Sequence, residues 1–210
     1  TDRTRAIFIN SPGNPTGWMM SRENMIALRD FARERGIWLI ADEVYGRLTY
    51  EVDRAPSFLE ITEPDERVVV VNTLSKNWAM TGWRMGWVVA SKELGQVYEN
   101  LIQYNTSGVP TFLQFGAVAA MNEGEPFLAE MRERCRVGRE IVCDAFDQLF
   151  KVDGEPDSRA LAFKLADQAN VGLAPGSAFG EGGDPFLRLC FCMSADKLSE
   201  AMDRLSGVLR

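Results

Sequence analysis

The chain has 210 residues, 46 % apolar and 25 % charged, proportions that exclude a disordered protein and leave room for one large domain or two small ones. Its net charge of −7 repels phosphate backbones and no basic patch interrupts it, so nucleic-acid binding is not expected. The longest apolar runs are strand-sized, well short of the roughly 20 residues of a membrane helix, and the absence of histidine removes Ser-His and Cys-His nucleophile pairs and histidine-held metals.

In chain order, the opening on TDRTRAIFIN is abrupt and carries no signal peptide, as expected of a piece of a longer chain. RAIFIN reads as a buried strand that stops at the Pro/Gly cluster SPGNPTG. The next stretch, SRENMIALRDFARERG, has apolar residues at helical spacing, with Ser21 as N-cap and Gly36 as stop. IWLIADE, RVVVVN and MGWVVAS read as three further strands. Continuous apolar strands separated by crossovers predict an α/β fold with a mainly parallel sheet covered on both faces.

Beyond residue 91 the pattern turns helical, over about 91 to 104 and 110 to 122, and EPFLAEMRERCRVGREIVCDAFDQLF predicts one long helix. A helix near 158 to 168, strand-like VGLAP and FLRLCFC, and a closing helix from about 195 complete the chain. The expected division is therefore residues 1 to 123 and a smaller α/β domain over 124 to 210, with the long helix at its start. The cysteines at 135, 143, 190 and 192 have neither metal-ligand spacing nor the density of a disulfide framework. They are expected to be core or semi-buried thiols in a reducing, cytoplasmic setting, and no metal is expected.

The polar residues are placed informatively. In parallel α/β sheets ligands gather at the carboxyl ends of strands, and three such ends here carry NSPGNPTG, ADEVY and NTLSK. Asn, Pro, Gly, Asp and Ser also make ordinary turns, which suffices for NPTG alone. It suffices less well for Asp42, a carboxylate directly after IWLIA that would be costly half-buried without a partner. Lys76 ends a small-residue turn, and amine chemistry by a lysine needs desolvation or a nearby cation, for which Arg84 is the candidate.

NSPGNPTG, ADEVY, TLSKNWAMTGWRMGW and FLRLCF, in that order, resemble the class I/II aminotransferases of the fold type I pyridoxal-phosphate superfamily. The resemblance runs from residue 6 to the end and is most specific at the lysine segment. Thr73 departs from it, standing where the family usually has Gly or Ser. The resemblance implies part of the large, three-layer cofactor-binding domain followed by a small C-terminal α/β domain. It implies that Lys76 forms the internal aldimine with pyridoxal 5'-phosphate and moves the substrate proton, and that Asp42 pairs with the pyridine nitrogen. Tyr45 and Asn14 are implied to hydrogen-bond the phenolic oxygen, Asn14 also facing the substrate. Arg84, Ser75 and Thr73 are implied to hold the phosphate, and Arg188 the substrate α-carboxylate.

Trp78, Trp83 and Trp87 are read as packing around the cofactor loop and Gly82 and Gly86 as allowing a tight turn. A homodimer acting on an amino acid and a 2-oxo acid is implied. A carbon-sulfur β-lyase on the same scaffold and a non-enzymatic regulatory domain remain alternatives. Relatives of this type have a further N-terminal half and extra residues near Leu149 and Phe150, where a break in the chain is expected.

Overall fold

A computed structural model describes residues 1–149 and 157–209. The segment from Phe150 to Pro156, where a break is expected, lies outside the described residues. The chain forms two compact units, Thr1–Ala129 and Glu130–Arg210.

The first unit is built on a four-stranded sheet in which β1 (Ala6–Asn10), β2 (Trp38–Asp42) and β3 (Val68–Thr73) run parallel. A fourth strand, β4 (Gly86–Val89), pairs antiparallel with β3. Register explains which side of the sheet is greasy. Ile7 lies opposite Leu39 and Leu39 opposite Val68, while Ile9, Ala41 and Val70 align one step further. These residues share one face and pack with Met20, Met25, Leu28, Ala32 and Phe58 into the unit's core.

Met25, Leu28 and Ala32 come from one stripe of α1 (Arg22–Arg35), which the Ser21 hydroxyl caps by accepting the Asn24 N–H. Gly36 ends that helix in the left-handed region, at φ 62°, where a side chain would be strained. Strand alternation puts Asn10 and Asp42, paired in register, on the face opposite α1, beyond Phe8 and Ile40. Phe8 is 62 % exposed. After β3 come α2 (Leu74–Asn77), β4, α3 (Gly95–Asn105) and α4 (Thr111–Glu123).

The expected long helix is α5 (Glu125–Leu149), and the division into units falls within it. In the second unit α6 (Ser158–Gln168) starts at Asp157, whose carboxylate accepts the Arg159 and Ala160 N–H groups. Leu161 and Leu165 of α6, Val142 of α5, and Leu198, Met202 and Leu205 of α7 (Ala195–Leu209) form a second core. The two strand-like segments pair only briefly, as β5 (Ala174–Pro175) and β6 (Leu187–Arg188). Pro175 has no N–H to extend the ladder, and the chain turns into a 3₁₀ helix at Gly176.

The thiols differ from expectation. Cys143, Cys190 and Cys192 are exposed and only Cys135 is partly covered, because α5 and the segment after β6 turn these side chains away from the second core. Among the described residues no helix is long and apolar enough to cross a membrane.

Candidate active site

The carboxyl ends of β1, β2 and β3 lie side by side, tied by backbone bonds from Ser11 N–H to Asp42 O and from Glu43 N–H to Val71 O. The site in the first unit is assembled there. The turn after β1 has cis peptide bonds before Pro12 and Pro15. It is anchored by Asn10, which accepts the Asn14 N–H at 2.9 Å and donates to Asp42 O at 3.3 Å. That brings the Asn14 amide within 3.3 Å of the Tyr45 hydroxyl, to which it donates. The Lys76 ammonium lies 5.9 Å from the centre of the same tyrosine ring, at the outer reach of a cation–π contact. Asp42, Tyr45 and Lys76 are half-buried. The Asp42 carboxylate accepts the Val44 N–H at 3.2 Å, which fixes one oxygen.

Thr73 caps the turn that carries Lys76. Its hydroxyl oxygen accepts the Ser75 N–H at 3.0 Å and stands 2.8 Å from Met85 O and 3.0 Å from the Ser75 hydroxyl. One hydroxyl has one proton, so the arrangement that uses every acceptor has Thr73 donating to Met85 O and Ser75 donating to Thr73. Thr73 is then spent on the chain's own backbone. It thereby shapes the loop that carries Lys76. Arg84 is exposed, holds the left-handed conformation at φ 54°, and donates to Thr81 O at 3.0 Å. A non-glycine residue in that region is uncommon and points to a local demand on where its side chain starts.

Four residues that sequence reasoning passed over hold this edge together: Asn10, Glu43, Asn72 and Asn77. Asn77, 1 % exposed, accepts the Arg47 N–H at 3.2 Å and donates to Asn72 at 3.4 Å; Asn72 in turn accepts the Thr73 N–H at 2.9 Å. The residues on either side of Lys76 are therefore fixed to β3 and to the loop after β2. Gly86 also differs from expectation. It sits in β4 rather than a turn, and a Cβ there would come 2.7 Å from Asn72 O. Gly82 has open space and no special conformation. Trp83 packs against Gly116 of α4 and Trp78 against Gly124, the residue that ends it.

Glu43 is buried and joins the strand end to a distant loop, accepting the Ser57 hydroxyl at 2.6 Å and the Phe58 N–H at 2.9 Å. Burial pushes its carboxyl above the usual range, against the pull of those two bonds. A carboxyl raised in the folded state favours folding most below its unfolded pKa, about 4.3, and that contribution is lost as pH rises through the folded value. Glu43→Gln keeps an acceptor for Phe58 and removes the charge, so its melting temperature should gain on the wild type as pH rises from about 4 to 7. Glu43→Ala strands a buried N–H and should cost about 1–3 kcal/mol in denaturant unfolding.

In the second unit Arg188 stands on β6 opposite Ala174, half-buried, its guanidinium 5.1 Å from the Phe179 ring centre. A cavity of about 370 Å³, lined by Arg33, Asp65 and Arg67 among others, lies at the amino ends of β2 and β3, away from the Lys76 edge.

The family model for aminotransferase class I and II matches residues 1–205. The aspartate aminotransferase of Thermotoga maritima is 34 % identical over 99 % of this chain and 56 % of its own length. Aromatic-amino-acid aminotransferase 2 of Thermococcus litoralis is 30 % identical over 100 % of this chain and 58 % of its own. The crystal structure of an aromatic aminotransferase from Pyrococcus horikoshii superposes with a TM-score of 0.90, at 32 % identity, over 100 % of this chain and 61 % of that one. The chain thus spans somewhat more than half the length of the relatives it matches. On the matched family model and these relatives, the chain belongs to the class I and II aminotransferase family.

Proposed function

We propose that the intact protein is a pyridoxal-phosphate-dependent aminotransferase that moves an amino group from an L-amino acid to a 2-oxo acid. The observation that carries this reading is the approach of Lys76 and Asn14 to Tyr45 at the strand edge that also ends in Asp42. The donor set suits the cofactor: a carboxylate for a ring nitrogen, two neutral donors for a phenolic oxygen, an amine for an aldehyde, and a hydroxyl and a guanidinium for a phosphate.

Pyridoxal phosphate, when bound, supplies an aldehyde that takes up amines and a pyridine ring that accepts electron density. Asp42 would hold a proton on the ring nitrogen. The Tyr45 hydroxyl and the Asn14 amide would donate to the phenolic oxygen, and Asn14 would also meet the substrate. Arg84, Ser75 and Thr73 would hold the phosphate, Thr73 also capping the turn that carries Lys76. Lys76 Nζ would take the proton from the substrate α-carbon and deliver it to the cofactor C4' carbon. Arg188 we assign to the substrate α-carboxylate, which its planar fork can hold through two parallel bonds.

A homodimer belongs to the same reading, supported by the exposed Tyr104, Phe112 and Phe115 of α3 and α4. A reducing, cytoplasmic setting belongs to the same proposal, on cysteine spacing that suits no disulfide framework.

The test is a half-reaction. The intact enzyme given an L-amino acid alone should release one 2-oxo acid per site and stop, and a second 2-oxo acid should restart it. Sustained release of ammonia and pyruvate with no acceptor would replace this reading with a β-lyase.

A further inference from the structure

The segment after β6 alternates strictly. Leu187, Leu189 and Phe191 pack into the second core, so the residues between them face the other way, and Cys190 and Cys192 are exposed on that outer side. Side chains two apart on an extended strand share a face, and here the two sulfurs are 3.1 Å apart. A disulfide needs about 2.05 Å, so closure asks for a shift of about 1 Å in two exposed side chains. The backbone between them is pinned, because at Gly138 of α5 an added Cβ would lie 2.5 Å from Phe191 O. Cys135 lies on α5 about one turn before that crossing.

We propose that Cys190 and Cys192 form a reversible dithiol–disulfide pair, oxidised by hydrogen peroxide and reopened by small thiols. The Cys192 thiol is pushed up, first by its hydrogen bond with Cys190 and then by burial and the neighbouring thiols, so it keeps its proton. Either sulfur can be the donor in that contact, and Cys190 attacks when Cys192 holds the proton. Cys190 takes one peroxide oxygen as the O–O bond breaks, becoming a sulfenic acid and releasing one water that carries its former proton. The Cys192 sulfur then displaces the hydroxyl, the S–S bond forms as the S–O bond breaks, and the hydroxyl leaves with the Cys192 proton as a second water. Two thiols are oxidised by two electrons and one peroxide is reduced. Burial pushes the Cys135 thiol up as well, so it too keeps its proton. A bond spanning one intervening residue is strained and exposed, properties of disulfides that cellular thiols reopen.

The experiment treats the full-length protein with peroxide, alkylates the remaining thiols under denaturing conditions and maps the peptides by mass. The peptide holding residues 190 and 192 should be unalkylated and lighter by two hydrogen atoms, and should take two alkyl groups after dithiothreitol. Cys192→Ser should stop at a sulfenic acid on Cys190 that a dimedone probe traps, while Cys135→Ser and Cys143→Ser should leave the bond intact. Both thiols alkylated after peroxide in a protein of unchanged circular dichroism, or a bond made to Cys135 or between chains, would overturn the proposal. None of these readouts uses enzymatic activity, so the result stands or falls apart from the proposed reaction.

Discussion

Replacing Lys76 by alanine is expected to lower the turnover of the intact enzyme by about 10⁴-fold or more while leaving it folded, since the side chain is asked to do both the covalent and the proton-transfer work. The fold should tolerate the change. Lys76 is only half-buried, and its turn is fixed by the Thr73 cap and by Asn77. The clearest readout is optical: the wild type should carry a pH-sensitive yellow band that the alanine variant, loaded with cofactor, lacks. Borohydride should fix the cofactor to the peptide containing residue 76 in the wild type and to nothing in the variant. Small primary amines should restore part of the rate, because a diffusing amine can carry the same proton less efficiently. A variant that keeps the band, with borohydride fixing the cofactor to another lysine, would move the assignment away from this site.

Much of this site is legible in the sequence, for a physical reason. Strand alternation and the carboxyl-edge rule need only local pattern, so Asp42 at the end of IWLIA and Lys76 in the turn after RVVVVN can be put on one sheet edge without coordinates. Ser21 and Gly36 mark the ends of α1 through cap chemistry that is equally local. The residues that hold the edge rigid are a different matter. Glu43 meets Ser57 and Phe58, and Asn77 meets Arg47, partners far along the chain whose approach only the tertiary fold creates. The one available hint is an Asn or Glu beside a motif residue where an apolar neighbour would be cheaper to bury.

Thr73 shows the same limit: its hydroxyl reads as a phosphate donor from the sequence, and only the fold brings Met85 O to 2.8 Å from it. The thiols went the other way: cysteine is commonly buried, and only the packing of Leu189 and Phe191 reveals that Cys190 and Cys192 are turned outward.

Asp42 gives the second large effect, and two substitutions separate its charge from its shape. Asp42→Asn keeps an oxygen for the Val44 N–H that the carboxylate now accepts at 3.2 Å, so stability should change by no more than about 1 kcal/mol. The rate of the amino-acid half-reaction should nevertheless fall by about 10²- to 10³-fold, the range seen when a group aimed at developing charge is removed. The difference arises because a neutral amide cannot keep the ring nitrogen protonated while the ring gathers electron density from the substrate. In the ground state a charge-assisted hydrogen bond is worth about 1.5–3 kcal/mol, and the remainder of the loss should therefore appear in kcat rather than in cofactor affinity. Asp42→Ala should lose as much rate and also loosen the Val44 turn, with a lower melting temperature.

A cofactor methylated on the ring nitrogen carries a fixed positive charge and needs no carboxylate to hold a proton there. Reconstituting both variants with it should recover a large part of the lost rate, and the wild type should gain nothing. If Asp42→Asn turns over like the wild type, or if the methylated cofactor fails to help a variant that is folded and loaded, the carboxylate at the end of β2 is acting on the loop rather than on the ring.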